Sequence, residues 1–314
     1  MSEPLQAPAP RNDHVPGVSL PARLYGSKHT HRLLPARLAL ALAARVGPAV
    51  RQRRNSAERR DAERFLTDLL LYTPRAGEAQ DLVDEWLVEK SLVRELFWRP
   101  WVLKRSQIFG REHWDAAHRG GRGCVLVFGH IGPTWATSPI LAHHGLRHHF
   151  VFGSHYWDLP PGYRGLAFRY QRREYGERLN VQLVSTDGPA LERLLELLAA
   201  GESVAIAFDV AGSAATPFLG RTVALAGGPA TLAFKTKAMV LPAIPERRGT
   251  RIDLRLLPAI DPTDHRDPRS LRAAIAQTFE PVVLAHPETV ELPWFPSPLV
   301  TEAPPAGVPS GSRS

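Results

Sequence analysis

Hydrophobic and polar residues change their spacing about one third of the way along the chain. Before residue 120, apolar positions recur every three or four residues, as at Phe65, Leu66, Leu69 and Leu70. This spacing is typical of amphipathic helices, and prolines mark where the helices end. We therefore predict a helical region with helices over residues 36–46, 55–73, 82–96 and 109–118.

From residue 123 onward, short apolar runs alternate with helical patterns. The first run, Val125-Leu126-Val127-Phe128, has no polar interruption and predicts a strand that is buried on both faces. Strands alternating with helices predict an α/β fold with a mainly parallel central sheet covered by helices on both faces. The other predicted strands are 149–152, 181–184, 203–208, 222–226, 239–244 and 251–257, and the predicted helices are 163–178, 189–200, 229–237 and 269–285.

Composition divides the chain into four parts. Residues 1–20 contain four prolines and predict a disordered leader, and residues 299–314 are rich in Pro, Gly and Ser and predict a disordered tail. Between them we expect an N-terminal helical region over 21–119 and an α/β domain over 120–298.

The chain carries an excess of positive charge. Lys and Arg number 39 against 31 Asp and Glu, for a formal net charge of +8. Such an excess favours contact with anions, among them lipid headgroups, coenzyme A and RNA, and we expect no DNA partner. The single cysteine, Cys124, excludes an intramolecular disulfide and a cysteine-rich metal site.

Four histidines, at positions 143, 144, 148 and 149, resemble a metal-binding cluster. No carboxylate is interleaved with them at ligand spacing, so we expect solvated loop histidines and no metal.

No apolar run reaches the roughly 20 residues of a membrane-spanning helix. The nearest, residues 33–46, is interrupted by Arg37 and Arg45. An Ala/Leu-rich helix of this kind packs on the protein's own core or lies in a membrane interface. We expect a cytoplasmic protein, with peripheral contact at the inner face of the cell membrane as the alternative.

Two residues that carry chemistry follow predicted strands directly. His130 comes after Phe128-Gly129, and Asp209 comes after the strand 203–208. Because parallel strands present their carboxyl ends at one edge of a sheet, both side chains are expected there. Imidazole is suited to proton transfer near neutral pH, and a carboxylate beside it suits acid–base work. The alternatives are a structural histidine and an aspartate that serves a turn.

Two further segments offer groups for an anionic ligand. Residues 216–221 predict a tight loop that presents Arg221, and residues 227–229 open a helix whose free N–H groups suit a phosphate. Ser138 and Ser185 lack the context of a nucleophile elbow, which disfavours a serine hydrolase. The chain has no phosphate-binding loop of the nucleotide type, so ATP use has no support.

Taken in order over about residues 55–295, these segments resemble the bacterial lipid A late acyltransferases, a branch of the lysophospholipid acyltransferase-like superfamily. In that family a histidine deprotonates an acceptor hydroxyl, which attacks an acyl thioester on acyl carrier protein or coenzyme A, and no cofactor takes part. The resemblance implies an acyltransferase with His130 as general base and Asp209 in support. The motifs on which the resemblance rests lie, in chain order, at residues 123–132, Asp209, 217–221, 228–233, 237–242, 279–280, 286–288 and 293–294. It also implies substrate-binding roles for Thr134, Trp135, Phe218, Gly220, Arg221 and Gly228.

The sequence departs from the family at the acidic partner of the histidine. The family places an acidic residue five positions after the histidine, where this chain has Trp135, and no Asp or Glu lies between His130 and Asp158. In serine proteases, loss of the equivalent acid costs orders of magnitude in rate. We expect Trp135 to line the pocket where the acid would have been, and Asp209 or a backbone carbonyl to replace that acid.

Three interpretations follow. The first, which we favour, is a transferase of specialised metabolism such as antibiotic biosynthesis, with an amine or hydroxylamine acceptor, because such nucleophiles need less help from a base. Its donor would be acyl carrier protein, acyl-CoA or a charged tRNA. The second is a membrane-associated lipid or glycolipid O-acyltransferase in which Asp209 replaces the missing acid. The third is an inactive acyl-binding or lipid-binding homologue.

Overall fold

The computed structural model describes residues 28–54, 56–153, 163–186 and 188–291. The predicted leader and tail, 1–20 and 299–314, lie outside the described residues.

The first part of the chain is helical, as predicted. Its second helix extends past the predicted end at residue 46 and continues through Pro48. The apolar face of the third helix, which includes Leu66, packs in one core with Val83 and Leu87 of the fourth. The helices are α1 (Lys28–Arg32), α2 (Ala36–Arg54), α3 (Ser56–Leu70), α4 (Leu82–Phe97) and α5 (Arg111–Ala117). Among the described residues, no helix combines the length and the apolar character needed to cross a bilayer.

A seven-stranded sheet forms the centre of the second part. Its order is β1-β9-β8-β2-β5-β3-β4, and every neighbouring pair is parallel except β8 and β9. This confirms the predicted α/β class and the mainly parallel sheet. The strands of the chain are β1 (Ile108–Phe109), β2 (Cys124–Phe128), β3 (His149–Phe152), β4 (Gln182–Ser185), β5 (Ser203–Ala207), β6 (Ala211–Phe218), β7 (Arg221–Leu225), β8 (Met239–Arg248) and β9 (Arg251–Leu256).

Strand β2 is buried on both faces, as its unbroken apolar run predicts. Val125 and Val127 lie in one hydrophobic core, and Leu126 and Phe128 lie in the other. Successive side chains of a strand point to opposite faces, so these two cores are the two sides of the sheet.

Strands β6 and β7 form a separate two-stranded antiparallel hairpin. The prediction of a tight loop over 216–221 is therefore wrong for residues 216–218, which belong to β6; only Leu219-Gly220 forms the turn. Residues 211–216 are small or weakly polar and carry no alternating pattern, so the strand depends on its pairing with β7.

The helices on the faces of the sheet are α6 (Thr137–His143), α7 (Tyr163–Gln171), α8 (Ala190–Ala199), α9 (Gly228–Thr236) and α10 (Pro268–Ala285). The helix predicted over 163–178 changes form after Gln171 and continues as a π-helical turn over Arg172–Gly176. This turn buries Tyr175, whose hydroxyl donates a hydrogen bond to the carbonyl of Phe97 over 2.5 Å.

Candidate active site

The parallel register of β2 and β5 places His130 and Asp209 side by side. Phe128 pairs with Ala207 at the ends of the two strands, and the Phe208 N–H donates to the Phe128 carbonyl over 2.9 Å. His130 and Asp209 are each two residues beyond this pair. The expected shared edge of the sheet is therefore where both side chains lie.

One carboxylate holds both the ring and the backbone of His130. Asp209 Oδ1 lies 2.8 Å from His130 Nδ1, and Oδ2 accepts a hydrogen bond from the His130 N–H over 2.5 Å. An ionised carboxylate only accepts hydrogen bonds, so Nδ1 carries the ring proton. In the neutral ring the lone pair is then on Nε2, the nitrogen that can accept a proton.

Gly129 makes this close approach feasible. A Cβ atom at this position would lie 2.7 Å from Phe208 Cε1 and 3.2 Å from Asp209 Oδ2. A side chain there would push Phe208 and Asp209 away from β2, so a glycine between strand and histidine favours the contact.

The electrostatic environment makes His130 a stronger base than an ordinary histidine. The side chains of His130 and Asp209 are each 16 % exposed. Burial lowers the pKa of the imidazole, while the charge of Asp209, its hydrogen bond and the charge of Glu291 raise it, and the pKa of His130 is raised overall. Asp209 thus stabilises the imidazolium that forms when the histidine takes up a proton.

Trp135 lies in an aromatic cluster. Its ring packs edge-on against Phe97 with 5.3 Å between centroids, and its centroid is 5.1 Å from that of Tyr175. Its Nε1 is buried and has no hydrogen-bond partner among the residues that the structure describes. Thr134 beside it is also buried. The residue at the family's acid position therefore packs against α4 and the turn after α7, while the histidine ring bonds to the carboxylate that follows β5.

Arg221 is buried and paired. Its side chain is 2 % exposed, and both terminal nitrogens donate to the Asp68 carboxylate over 2.9 Å. Its guanidinium carbon lies 5.8 Å from the centroid of Tyr72. Arg221 thus joins the hairpin to α3, and its contact with an anionic ligand stays a prediction.

The remaining predicted binding residues belong to the hairpin and to α9. Phe218 is buried with its ring centroid 5.9 Å from that of Phe208, the neighbour of Asp209. Gly220 has a φ of 76° in the hairpin turn, and Gly228 opens α9. Among the described hydrogen bonds, none joins these residues to His130, so their roles toward substrate stay predictions.

Two of the four clustered histidines are buried, and the expectation that all four are solvated is wrong for them. His148 is 6 % exposed and bonds to Ser138 Oγ over 2.6 Å, and His149 is 8 % exposed. The strand β3 begins at His149, so His149 and its neighbour His148 lie where the chain enters the sheet. In the part of the chain that the structure describes, no three His, Cys, Asp or Glu residues come together as a metal site.

Sequence reasoning missed a contact between the loop that holds His130, residues 129–133, and the residues after α10. This loop is called the histidine loop below. The Glu291 N–H donates to the His130 carbonyl over 2.7 Å, and the Gly132 N–H donates to the Thr289 carbonyl over 2.9 Å. Both bonds join backbone atoms more than 150 residues apart, so no local pattern signals them.

Among the comparisons with known proteins, a family match covers most of the chain. The search of curated proteins returns no match. The chain is similar to the crystal structure of the 1-acyl-sn-glycerophosphate (LPA) acyltransferase PlsC from Thermotoga maritima, with 17% sequence identity and a TM-score of 0.36. The match covers 72% of this chain and 97% of that one. The bacterial lipid A biosynthesis acyltransferase family matches residues 29–290, and the chain therefore belongs to this family of acyltransferase enzymes.

Proposed function

We propose that this acyltransferase moves an acyl group from a thioester of acyl carrier protein or coenzyme A to a hydroxyl acceptor, with His130 as general base. The observation that carries the proposal is the 2.8 Å contact between His130 Nδ1 and Asp209 Oδ1. The carboxylate that the family places five residues after the histidine is supplied here from the end of β5.

His130 and Asp209 together provide the general base that an alcohol acceptor requires. The acceptor hydroxyl gives its proton to His130 Nε2 as its oxygen attacks the thioester carbonyl carbon. The tetrahedral intermediate then collapses, the C–S bond breaks, and the imidazolium returns the proton to the leaving thiolate. The products are an ester and a free thiol. Asp209 fixes the ring orientation and stabilises the imidazolium between the two steps, as the buried aspartate does in serine proteases.

This geometry changes the preference among acceptors. The sequence favours an amine or hydroxylamine acceptor because position 135 offers no carboxylate to His130. With Asp209 in contact, that reason no longer holds, and a hydroxyl acceptor becomes the better proposal. A charged-tRNA donor and a place in antibiotic biosynthesis stay predictions of the sequence.

The experiment is a donor and acceptor panel with the purified full chain. Acyl carrier protein thioesters, acyl-CoA and aminoacyl-tRNA are each offered with hydroxyl, amine and hydroxylamine acceptors, and products are identified by mass spectrometry. We expect ester formation and thiol release from a thioester donor, and none with heat-denatured protein. Turnover only with amine or hydroxylamine acceptors, or only with charged tRNA, would overturn the proposal. Absence of all turnover would favour the inactive binding homologue.

We also propose peripheral contact with anionic membrane surfaces through α1 and α2. Helix α2 buries Ala39 and Leu40 against the protein, while Leu38 and Leu42 are 51% and 45% exposed on another side. Residues 28–54 contain seven Lys and Arg residues and no Asp or Glu. Exposed leucines among arginines are typical of helices that lie in an interface, and the arginines attract anionic headgroups.

Replacing Leu38 and Leu42 together with serine is expected to lower vesicle binding about thirtyfold, because each exposed leucine loses a hydrocarbon contact of roughly 1 kcal/mol and every 1.4 kcal/mol is a factor of about ten. Co-sedimentation with vesicles containing anionic lipid measures the effect, and vesicles of zwitterionic lipid should bind less. The matched control is Leu191→Ser, since Leu191 is 43% exposed on α8 and is not part of the basic segment 28–54. Equal binding by the double variant and the control would contradict the proposed surface.

A further inference from the structure

We propose that Glu291 and Lys90 are positioning residues for His130, holding its loop from the side opposite Asp209 and setting the charge around its ring. The inference rests on the proposed role of His130 as general base. Residues 287–291, which follow α10, are called the closing segment below.

The closing segment pairs with the histidine loop through its backbone. The two hydrogen bonds from Glu291 N–H to the His130 carbonyl and from Gly132 N–H to the Thr289 carbonyl flank an antiparallel bridge between Ile131 and Val290. The loop therefore has a fixed partner on this side as well as at Asp209. Small displacements of a catalytic base are costly, so this pairing bears on its geometry.

The loop also meets the sheet closely on another side. Gly132 has a φ of 68°, and a Cβ atom there would lie 2.3 Å from the Pro245 carbonyl oxygen. Any side chain at this position would push the loop off β8, so the loop lies directly against this strand.

Helix α4 anchors the closing segment. The buried Trp86 Nε1–H donates to the Val290 carbonyl over 2.8 Å. One turn further along α4, Lys90 Nζ lies 5.1 Å from the Trp86 ring centroid and 3.9 Å from Glu291 Oε1. The side chains of Lys90 and Glu291 are only 14% and 19% exposed. Lys90 therefore holds the Glu291 carboxylate in a partly buried position.

Three charged groups act on the His130 ring: Asp209 after β5, Glu291 in the closing segment and Lys90 on α4. Burial lowers the pKa of His130, Asp209 and then Glu291 raise it, and Lys90 lowers it. With a neutral ring, Asp209, Glu291 and Lys90 sum to one negative charge. When the ring takes a proton, the group becomes neutral, which favours proton uptake in a site with little water.

The test replaces each charge without changing the backbone. Glu291→Gln removes a negative charge, so the acid limb of the kcat/KM profile should move to lower pH by about half a pH unit, the size expected for one partly buried charge that acts on the ring. Lys90→Met removes a positive charge and should move the limb to higher pH. Opposite displacements distinguish an electrostatic role from loss of structure. The matched control is Glu288→Gln in the same segment, where the carboxylate lies 3.2 Å from His286.

A second readout does not depend on turnover. The titration of the His130 ring is followed by NMR in histidine-labelled protein, with His130→Gln to assign its signal. Unchanged titration in both Glu291→Gln and Lys90→Met would overturn the positioning role. Titration that moves as expected, while the pH–rate profile does not follow it, would instead overturn His130 as the base.

Discussion

Replacing Asp209 with asparagine is expected to lower kcat by at least about 10²-fold and by up to about 10⁴-fold, the loss known for neutralising the orienting acid of a serine protease. Asparagine keeps the size of the side chain, and its oxygen can still accept the bond from the His130 N–H. It removes the charge that stabilises the imidazolium, and its amide cannot ensure that the ring proton stays on Nδ1. The loss should therefore appear in the chemical step, with little change in KM.

The pH dependence of this variant has a defined sign. Asp209 raises the pKa of His130, so its neutralisation lowers that pKa and extends the unprotonated form to lower pH. The acid limb of the rate profile should move to lower pH while the plateau falls. A variant that was merely misfolded would lose amplitude without moving the limb.

Steady-state kinetics over a range of pH measure both effects. His130→Ala should reduce turnover to background, and the double variant with Asp209→Asn should be no worse, because the two side chains act as a unit. Asp115→Asn is the matched control, since that carboxylate is 64% exposed and lies beside Arg111 on α5. A rate for Asp209→Asn within threefold of the wild type would contradict the proposed role.

Replacing Trp135 with glutamate, which restores the acidic residue type of the family, is expected to lower the free energy of unfolding by about 3 kcal/mol. This is the lower end of the cost of losing a large core aromatic side chain, because Trp135 is only partly buried, and the new carboxylate would lie beside a ring cluster. The cluster includes Phe97 and Tyr175, both of which pack against the Trp135 ring. We expect no gain of hydroxyl acylation, because His130 already bonds to Asp209.

Urea denaturation followed by far-ultraviolet circular dichroism measures the change. Trp135→Phe is the matched variant, because it keeps an aromatic ring against Phe97 and should cost much less. Trp135→Glu with the stability of Trp135→Phe and a raised rate of hydroxyl acylation would show that position 135 reaches the histidine after all.

Local patterns were sufficient for the elements that carry the site. The unbroken apolar run before Gly129 predicts β2, and the run that ends at Asp209 predicts β5. Burial on both faces removes polar residues from a strand, so the pattern is visible in a single sequence. The class of fold follows from the alternation of such strands with helices.

Other elements depend on their neighbours. The small and polar residues 211–216 become part of β6 only through the pairing with β7, and the helix after Tyr163 turns π-helical at Arg172 where Tyr175 is buried. Arg221 looks like an exposed cation in a loop, yet it is buried beside Asp68, 153 positions away along the chain. Propensity and periodicity describe one element at a time, and these contacts join residues of different elements.

The sequence by itself determined that His130 and Asp209 each follow a buried strand, that both are expected at one edge of the sheet, and that position 135 holds a tryptophan. The tertiary structure decided that the carboxylate of Asp209 meets the histidine ring, that Trp135 packs into an aromatic cluster, and that Glu291 closes the loop. The physical reason is that hydrophobic patterning reports burial along one strand or helix. A hydrogen bond between side chains 79 positions apart depends instead on strand register and on the absence of a side chain at Gly129.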